Sequence, residues 1–353
     1  MSAAPGVLLV GSIPLDTSEA VFEMFGRPLG AQLSTLPDGE TGPRRHWISR
    51  VHYQVFAGHP DFEVLRRPAP DDGIERLNPR NAGDSWLFKV RDGVSKVRFG
   101  DPGWRLGYAR EAIQSYFVFR SLRDKGALPA HLRFQVSLAS VNSVLPPRVF
   151  PVAGDLDRIR EGYEAALRAE IETIVAHIPA HDLAIQFDCA TEVQDAYGGI
   201  AQLDPATMIE RNCGQIRRLS QVIPSEASLG IHLCFGTLGG WPRFSPDDLG
   251  QTVVLANAMV EQTERSIEWL HIPTLDRSDL AFYAALADLR PRSAQVYLGM
   301  IHHMDTFATR LRVARQVLPG FGLAAYCGLG RSPASELPGV LAEHLSALAQ
   351  ASA

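Results

Sequence analysis

Eight short apolar runs, each followed by a stretch with helical periodicity, constrain this chain more than any other feature. The runs fall at residues 7–10, 31–36, 133–138, 183–187, 229–235, 267–272, 295–301 and 322–326. Most are near-continuous in aliphatic and aromatic residues, as strands buried on both faces of a parallel sheet should be. The stretches between them read as helices. Residues 155–174 open on Asp155 and Asp157, which suit the positive end of a helix dipole, and carry Tyr163, Ala166, Leu167 and Ile171 at helical spacing. Ser245 and Pro246 read as a cap and a first-turn proline. Residues 335–348 supply a last helix, and 349–353 a frayed end. This alternation favours a (β/α)8 TIM barrel over an open doubly wound sheet.

We therefore expect one α/β barrel over residues 1–353. Residues 37–132, between the second and third runs, far exceed an ordinary connection. They contain a hairpin pattern, 86–90 against 94–99 around Arg91-Asp-Gly, and a helical pattern at 108–122. The expectation is an insertion over about 51–130, packed on the barrel where it can cover the mouth.

Composition narrows the function. A net charge of -5 with no basic stripe argues against nucleic acid. No apolar stretch is long enough to span a membrane, and the opening residues lack the positive region of a signal peptide, so the expected location is cytoplasmic. Cys189, Cys213, Cys234 and Cys327 are too dispersed for a disulfide framework.

The chemistry concentrates at strand ends. In Gly230-Ile-His232-Leu-Cys234, alternate side chains of one strand share a face, so His232 and Cys234 project together. Imidazole nitrogen and thiolate sulfur are preferred zinc ligands. Cys327 ends the eighth run, and in a barrel all C-terminal strand ends converge on one mouth. His232, Cys234 and Cys327 together leave one position open, as a catalytic rather than a structural zinc site does.

With these residues in order, the chain resembles the cobalamin-independent methionine synthase family, within the uroporphyrinogen decarboxylase/methionine synthase-like superfamily. His-x-Cys after the fifth strand and Cys-Gly-Leu after the eighth are similar to that family's zinc site, and to the sites of the related coenzyme M transferases. Val10-Gly-Ser12-Ile-Pro resembles the family's Gly-Ser-Phe-Pro, Asp38-Gly-Glu40 its His-Gly-Glu, and Gln186-Phe-Asp188 its Gln-Ile-Asp. The resemblance implies Zn2+ as cofactor and a small-molecule thiol alkylated by a second molecule. It also implies that Ser12 holds the carboxylate of an amino-acid thiol while Glu40 and Asp188 receive its ammonium group.

The departures are specific. Pro273 stands where the family has a glutamate ligand, which leaves either three protein ligands or recruitment of His271. The folate-stacking tryptophan has no counterpart in the segment from Ser137 to Asn142. A donor other than folate is therefore expected: a small natural product, or a methyl group on a corrinoid protein. Trp86, Trp104 and Tyr108 of the insertion offer aromatic surface for a different pocket. His302 and His303 are candidates for general acid–base work or for supporting a ligand, and Asp188 for a catalytic role besides binding. Arg331, with Arg44 and Arg45, is a candidate for an anionic substrate group. Alternative functions on the same barrel are a lyase or decarboxylase, which needs no metal in the uroporphyrinogen decarboxylase case, and a non-catalytic metal- or thiol-binding protein.

Overall fold

The computed structural model describes residues 6–100, 105–200 and 203–352, so Trp104 lies outside the described residues. In chain order the strands are β1 (Val7–Leu8), β2 (Thr35–Pro37), β3 (Phe62–Arg66), β4 (Leu87–Val90), β5 (Arg133–Ala139), β6 (Leu183–Cys189), β7 (Ser228–Leu233), β8 (Trp269–Pro273), β9 (Gln295–Ile301) and β10 (Gly322–Ala325). All but β3 and β4 pair in parallel, in the order β1-β10-β9-β8-β7-β6-β5-β2. A parallel bridge from Val7 to Leu33 brings the two ends of this sheet together, with the Val7 N–H donating to the Gln32 carbonyl at 2.9 Å. The result is a nearly closed (β/α)8 barrel, and each of the eight apolar runs lies on one of its strands.

Strand register builds the interior in layers. Gly230 pairs with Trp269 and with Gln186, and His232 pairs with His271 and with Asp188. The lower layer is apolar: Leu8, Val10, Ala184, Trp269, Tyr297 and Ala324 pack against one another. A Cβ on Gly230 would lie 1.8 Å from the Trp269 ring, so only glycine lets the indole cross the barrel there. Above it Gln135 and Gln186 cross-link the strands. Both side-chain amides donate to the Val10 carbonyl, at 3.1 and 2.6 Å, and the Trp269 indole donates to Gln186 Oε1. The next level up carries His232, His271 and Asp188.

Two local expectations are corrected. Strand β4 pairs antiparallel with β3, not with residues 94–99. The chain after the 91–94 turn leaves the hairpin, and Val97 donates to the Arg158 carbonyl on the helix Asp155–His177. The alternation of Phe62 and Val64 was the overlooked strand signal. The helix assigned from Ser245 begins instead at Gly250, where Asp248 Oδ1 accepts from the Gly250 N–H at 2.7 Å; Pro246 is buried in the preceding loop. The closing residues are also helical, within Leu337–Ser352, with Ala351 buried.

The segment between β2 and β5 packs directly on the barrel's outer layer. Phe56, Phe62, Phe88, Phe99, Phe150 and Tyr163 form one aromatic cluster, mostly at edge-to-face or tilted angles. The Val90 N–H donates to Asp155 Oδ2 at 2.8 Å, tying the hairpin to a helix of the barrel.

Candidate metal centre at the barrel mouth

Strands β7 and β10 end beside each other's ligands. The ligand atoms of His232, Cys234 and Cys327 all lie within 4.8 Å of one another. The Cys234 thiol donates to Cys327 Sγ at 3.2 Å, and Cys327 Sγ is 3.6 Å from His232 Nε2. The sulfurs are well beyond the ~2.05 Å of a disulfide. Tetrahedral zinc with sulfur at about 2.3 Å and nitrogen at about 2.0 Å spaces the two by roughly 3.5 Å, which these atoms already match. A hydrogen bond from Cys234, together with burial, pushes the Cys327 thiol well above its ordinary range. Two sulfurs this close ionise together only with a cation between them. The donor set therefore fits zinc.

His232 points the correct nitrogen inward because His271 fixes its proton. His271 Nε2 faces the Ala325 carbonyl at 2.9 Å and so carries a hydrogen. Its Nδ1 is then the acceptor for His232 Nδ1 at 2.7 Å, which leaves the His232 Nε2 lone pair facing Cys327. Burial holds His271 neutral, down to about 4, and drives His232 well below its ordinary value, with His271 adding to the effect. Both His271 nitrogens are thus engaged away from the sulfurs, and of the two options left open for the fourth position its recruitment as a ligand is not the one built here.

Ser12 lies against the loop that follows Cys327. A Cβ on Gly328 would sit 2.5 Å from Ser12 Oγ, and one on Gly330 would sit 2.4 Å from the Arg45 carbonyl. The glycines of Cys327-Gly-Leu-Gly330 thus let this loop lie on the end of β1, where the Leu329 N–H donates to the Ser12 carbonyl at 2.6 Å.

Glu40 follows a tight turn. Gly39 and Glu40 have φ of 79° and 46°, and Asp38 Oδ1 accepts the Glu40 N–H at 2.8 Å. Glu40 Oε2 is buried without a hydrogen-bond partner. Burial first, then the neighbouring Asp38, raises Glu40 to about 8. Asp188, whose Oδ1 accepts from Gln186 Nε2 at 2.7 Å, is raised well above the usual carboxylate range by burial, then by Glu40. Cys327 adds to that rise, and Asp188 pairs in register with His232 on the neighbouring strand. Asp38 is itself paired with Arg44 at 2.7 Å, and among the described residues neither Glu40 nor Asp188 forms an ion pair, although Arg44 and Arg50 partly offset the rise at Glu40.

His302 and His303 fall elsewhere. They line a separate hollow with Tyr326, Glu336 and Glu343, and neither lines the cleft that holds Cys234 and Cys327. His302 is buried, faces the Thr274 carbonyl at 3.0 Å and is lowered to about 3 by burial and Arg310. His303 is exposed at the start of the helix Met304–Val317. Trp86 is buried against Phe88 and donates to the Leu77 carbonyl, so it serves the insertion's core and does not line the cleft. Tyr108 lines a small cavity with Glu40, and its buried hydroxyl faces that of Tyr163.

The cleft over the sulfurs has a volume of about 850 Å³ including its open mouth. Arg45, Arg148, Arg243 and Arg331 line it, with His46. Arg148 and Arg243 had no place in the sequence reading, because isolated arginines in loops carry no local signal.

The class defined here is a (β/α)8 barrel with an open Cys-Cys-His set at the C-terminal ends of its strands. No family model and no curated protein matches the chain. Several solved structures are similar to it, two of them as follows. One is a B12-independent methionine synthase from Shewanella sp. W3-18-1 in complex with selenomethionine: TM-score 0.59, 13% identity, covering 99% of this chain and 96% of that one. The other is described as a putative vitamin-B12 independent methionine synthase from Listeria monocytogenes: TM-score 0.50, 14% identity, covering 93% of this chain and 86% of that one. At such identities they show a shared fold.

Proposed function

We propose that this protein is a zinc-dependent methyl or alkyl transferase of the methionine-synthase type, acting on a small amino-acid thiol with a donor other than folate. The observation that carries this reading is the convergence of His232 Nε2, Cys234 Sγ and Cys327 Sγ at a barrel mouth that also holds the buried carboxyls of Glu40 and Asp188, neither of them in an ion pair among the described residues. A zinc ion held by those three atoms would lower the pKa of an added thiol and keep it nucleophilic at neutral pH.

The chain's own residues do the rest. Glu40 and Asp188 receive the ammonium group by charge-assisted hydrogen bonds, and the Ser12 hydroxyl holds the carboxylate. The selenomethionine in complex with the Shewanella protein carries the same ammonium and carboxylate groups, with a methylated selenium where such an alkylation would leave a methylated sulfur. The thiol's sulfur attacks the donor carbon as the bond from that carbon to its leaving group breaks. The leaving group takes the electron pair, and the thiol's proton ends on it. Asp188, a strand neighbour of His232 whose carboxyl burial raises, is our candidate to hold that proton in transit. Held together at the barrel mouth, donor and thiol react as parts of one complex.

The test supplies zinc-loaded protein with homocysteine and, separately, methyltetrahydrofolate and non-folate alkyl donors. Thiol-dependent turnover on a non-folate donor supports the reading. Methionine formation from methyltetrahydrofolate at about 1 per second or more overturns its non-folate part. Thiol-independent elimination or decarboxylation overturns the transferase assignment.

A further inference from the structure

The rim of the cleft carries positive charge with nothing to answer it. Its four arginines come from four separate loops, following β2, β5, β7 and β10. Among the described residues lining the cleft there is no aspartate or glutamate. Among the described residues none of Arg45, Arg148, Arg243 and Arg331 forms an ion pair, whereas arginines elsewhere, such as Arg44, Arg123 and Arg218, are paired. Arg148 Nε and His46 Nδ1 are buried without a hydrogen-bond partner.

The two deeper arginines are held against their own electrostatics. Burial, and then the charge of Arg243, lower Arg148 to about 10. Arg243 is half-buried and lies over Gly236, whose missing Cβ leaves the space it occupies: a Cβ there would approach Arg243 Cβ to 3.2 Å. Like charges brought together and partly desolvated cost stability unless an anion joins them. Guanidinium groups match the geometry of phosphate and carboxylate oxygens, and two of them match a doubly charged group.

We propose that this cleft binds a dianion, a phosphate or dicarboxylate group gripped by Arg148 and Arg243 with Arg45 and Arg331 at the entrance, and that this dianion belongs to the alkyl donor. Its assignment to the donor rests on the thiol-alkylation reading above; the anion site itself does not. The poles divide the labour: Glu40 and Asp188 take the cationic end of the thiol substrate, and the arginines take the anionic end of its partner.

The test uses zinc-loaded full-length protein at fixed ionic strength, with inorganic phosphate, malonate and acetate as probes, followed by titration calorimetry and thermal melting. Phosphate or malonate should bind and raise the melting temperature, and acetate should bind at least tenfold more weakly. The double variant Arg148→Met, Arg243→Met should lose at least tenfold in dianion affinity, keep its zinc, and melt higher than wild type in dianion-free buffer. Should that variant prove insoluble, Arg148→Lys serves instead: it keeps the charge but loses the fork, and should also weaken phosphate. Absence of dianion binding, or equal binding by the variants, overturns the inference while a zinc-loaded centre leaves the metal reading standing. Dianion binding by protein that takes up no zinc overturns the metal reading and leaves this one.

Discussion

The carboxylate pole and the arginine rim flank the same sulfurs, yet they are built differently. Glu40 and Asp188 sit at strand ends, buried, in motifs readable along the chain. The rim arginines sit on loops, partly solvated, and become a group only when four loops meet. In both regions groups of like charge are brought together without forming ion pairs of their own among the described residues, and in both the cost falls on the protein without its ligands. The difference suggests a division: an amino-acid site fixed on the rigid barrel, and a donor site on loops that can vary.

The largest effect that would sharpen this comparison is expected at the carboxylates. Glu40→Gln or Asp188→Asn should raise KM for an amino-acid thiol about 10- to 100-fold, since a charge-assisted hydrogen bond is worth roughly 1.5–3 kcal/mol. A thiol lacking the amino group should be indifferent to Glu40→Gln. Equal losses on both thiols would break the assignment of this pole to the ammonium.

Next in size is a stability effect inside the barrel. Gly230→Ala forces Trp269 to move and should cost about 1–3 kcal/mol in urea unfolding, with activity lost through displacement of His232 two residues on. An unchanged midpoint would mean that the layered interior does not transmit to the mouth.

A smaller effect is expected from pH. Glu40 is raised to about 8 in the folded chain from an ordinary 4.5, so the folded state binds its proton more tightly than the unfolded state does. Its contribution is therefore lost as pH climbs from about 4.5 and levels off above about 8. Glu40→Gln should melt about 2–4 °C above wild type at pH 8 and coincide with it at pH 4. The smallest effect is expected at His303: His303→Ala, exposed and outside the cleft, should change turnover by less than about twofold.

What the sequence disclosed follows from how local each signal is. Strand positions were legible because buried parallel strands write themselves as apolar runs, and His232 with Cys234 because strand alternation fixes a shared face. Cys327 needed only the rule that strand ends converge. The β3–β4 pairing was not legible, since a hairpin pattern says nothing about a helix that captures Val97 instead. Nor was the role of His271. Its position on β8 allowed a ligand, and only the 2.7 Å contact between Nδ1 atoms shows that it orients His232. His302 and His303 looked alike in sequence, but one step along the chain separates a buried ring from an exposed one.

The central claim is that His232, Cys234 and Cys327 hold one zinc whose fourth position takes the thiol. X-ray absorption at the zinc edge tests it most directly, on protein purified without chelator and measured with and without homocysteine. The account predicts about one zinc per chain with two sulfurs near 2.3 Å, a third sulfur on adding homocysteine, and loss of the metal from folded Cys327→Ser protein. Metal-free wild-type protein that cannot be loaded, or a sulfur count that homocysteine leaves unchanged, would contradict it.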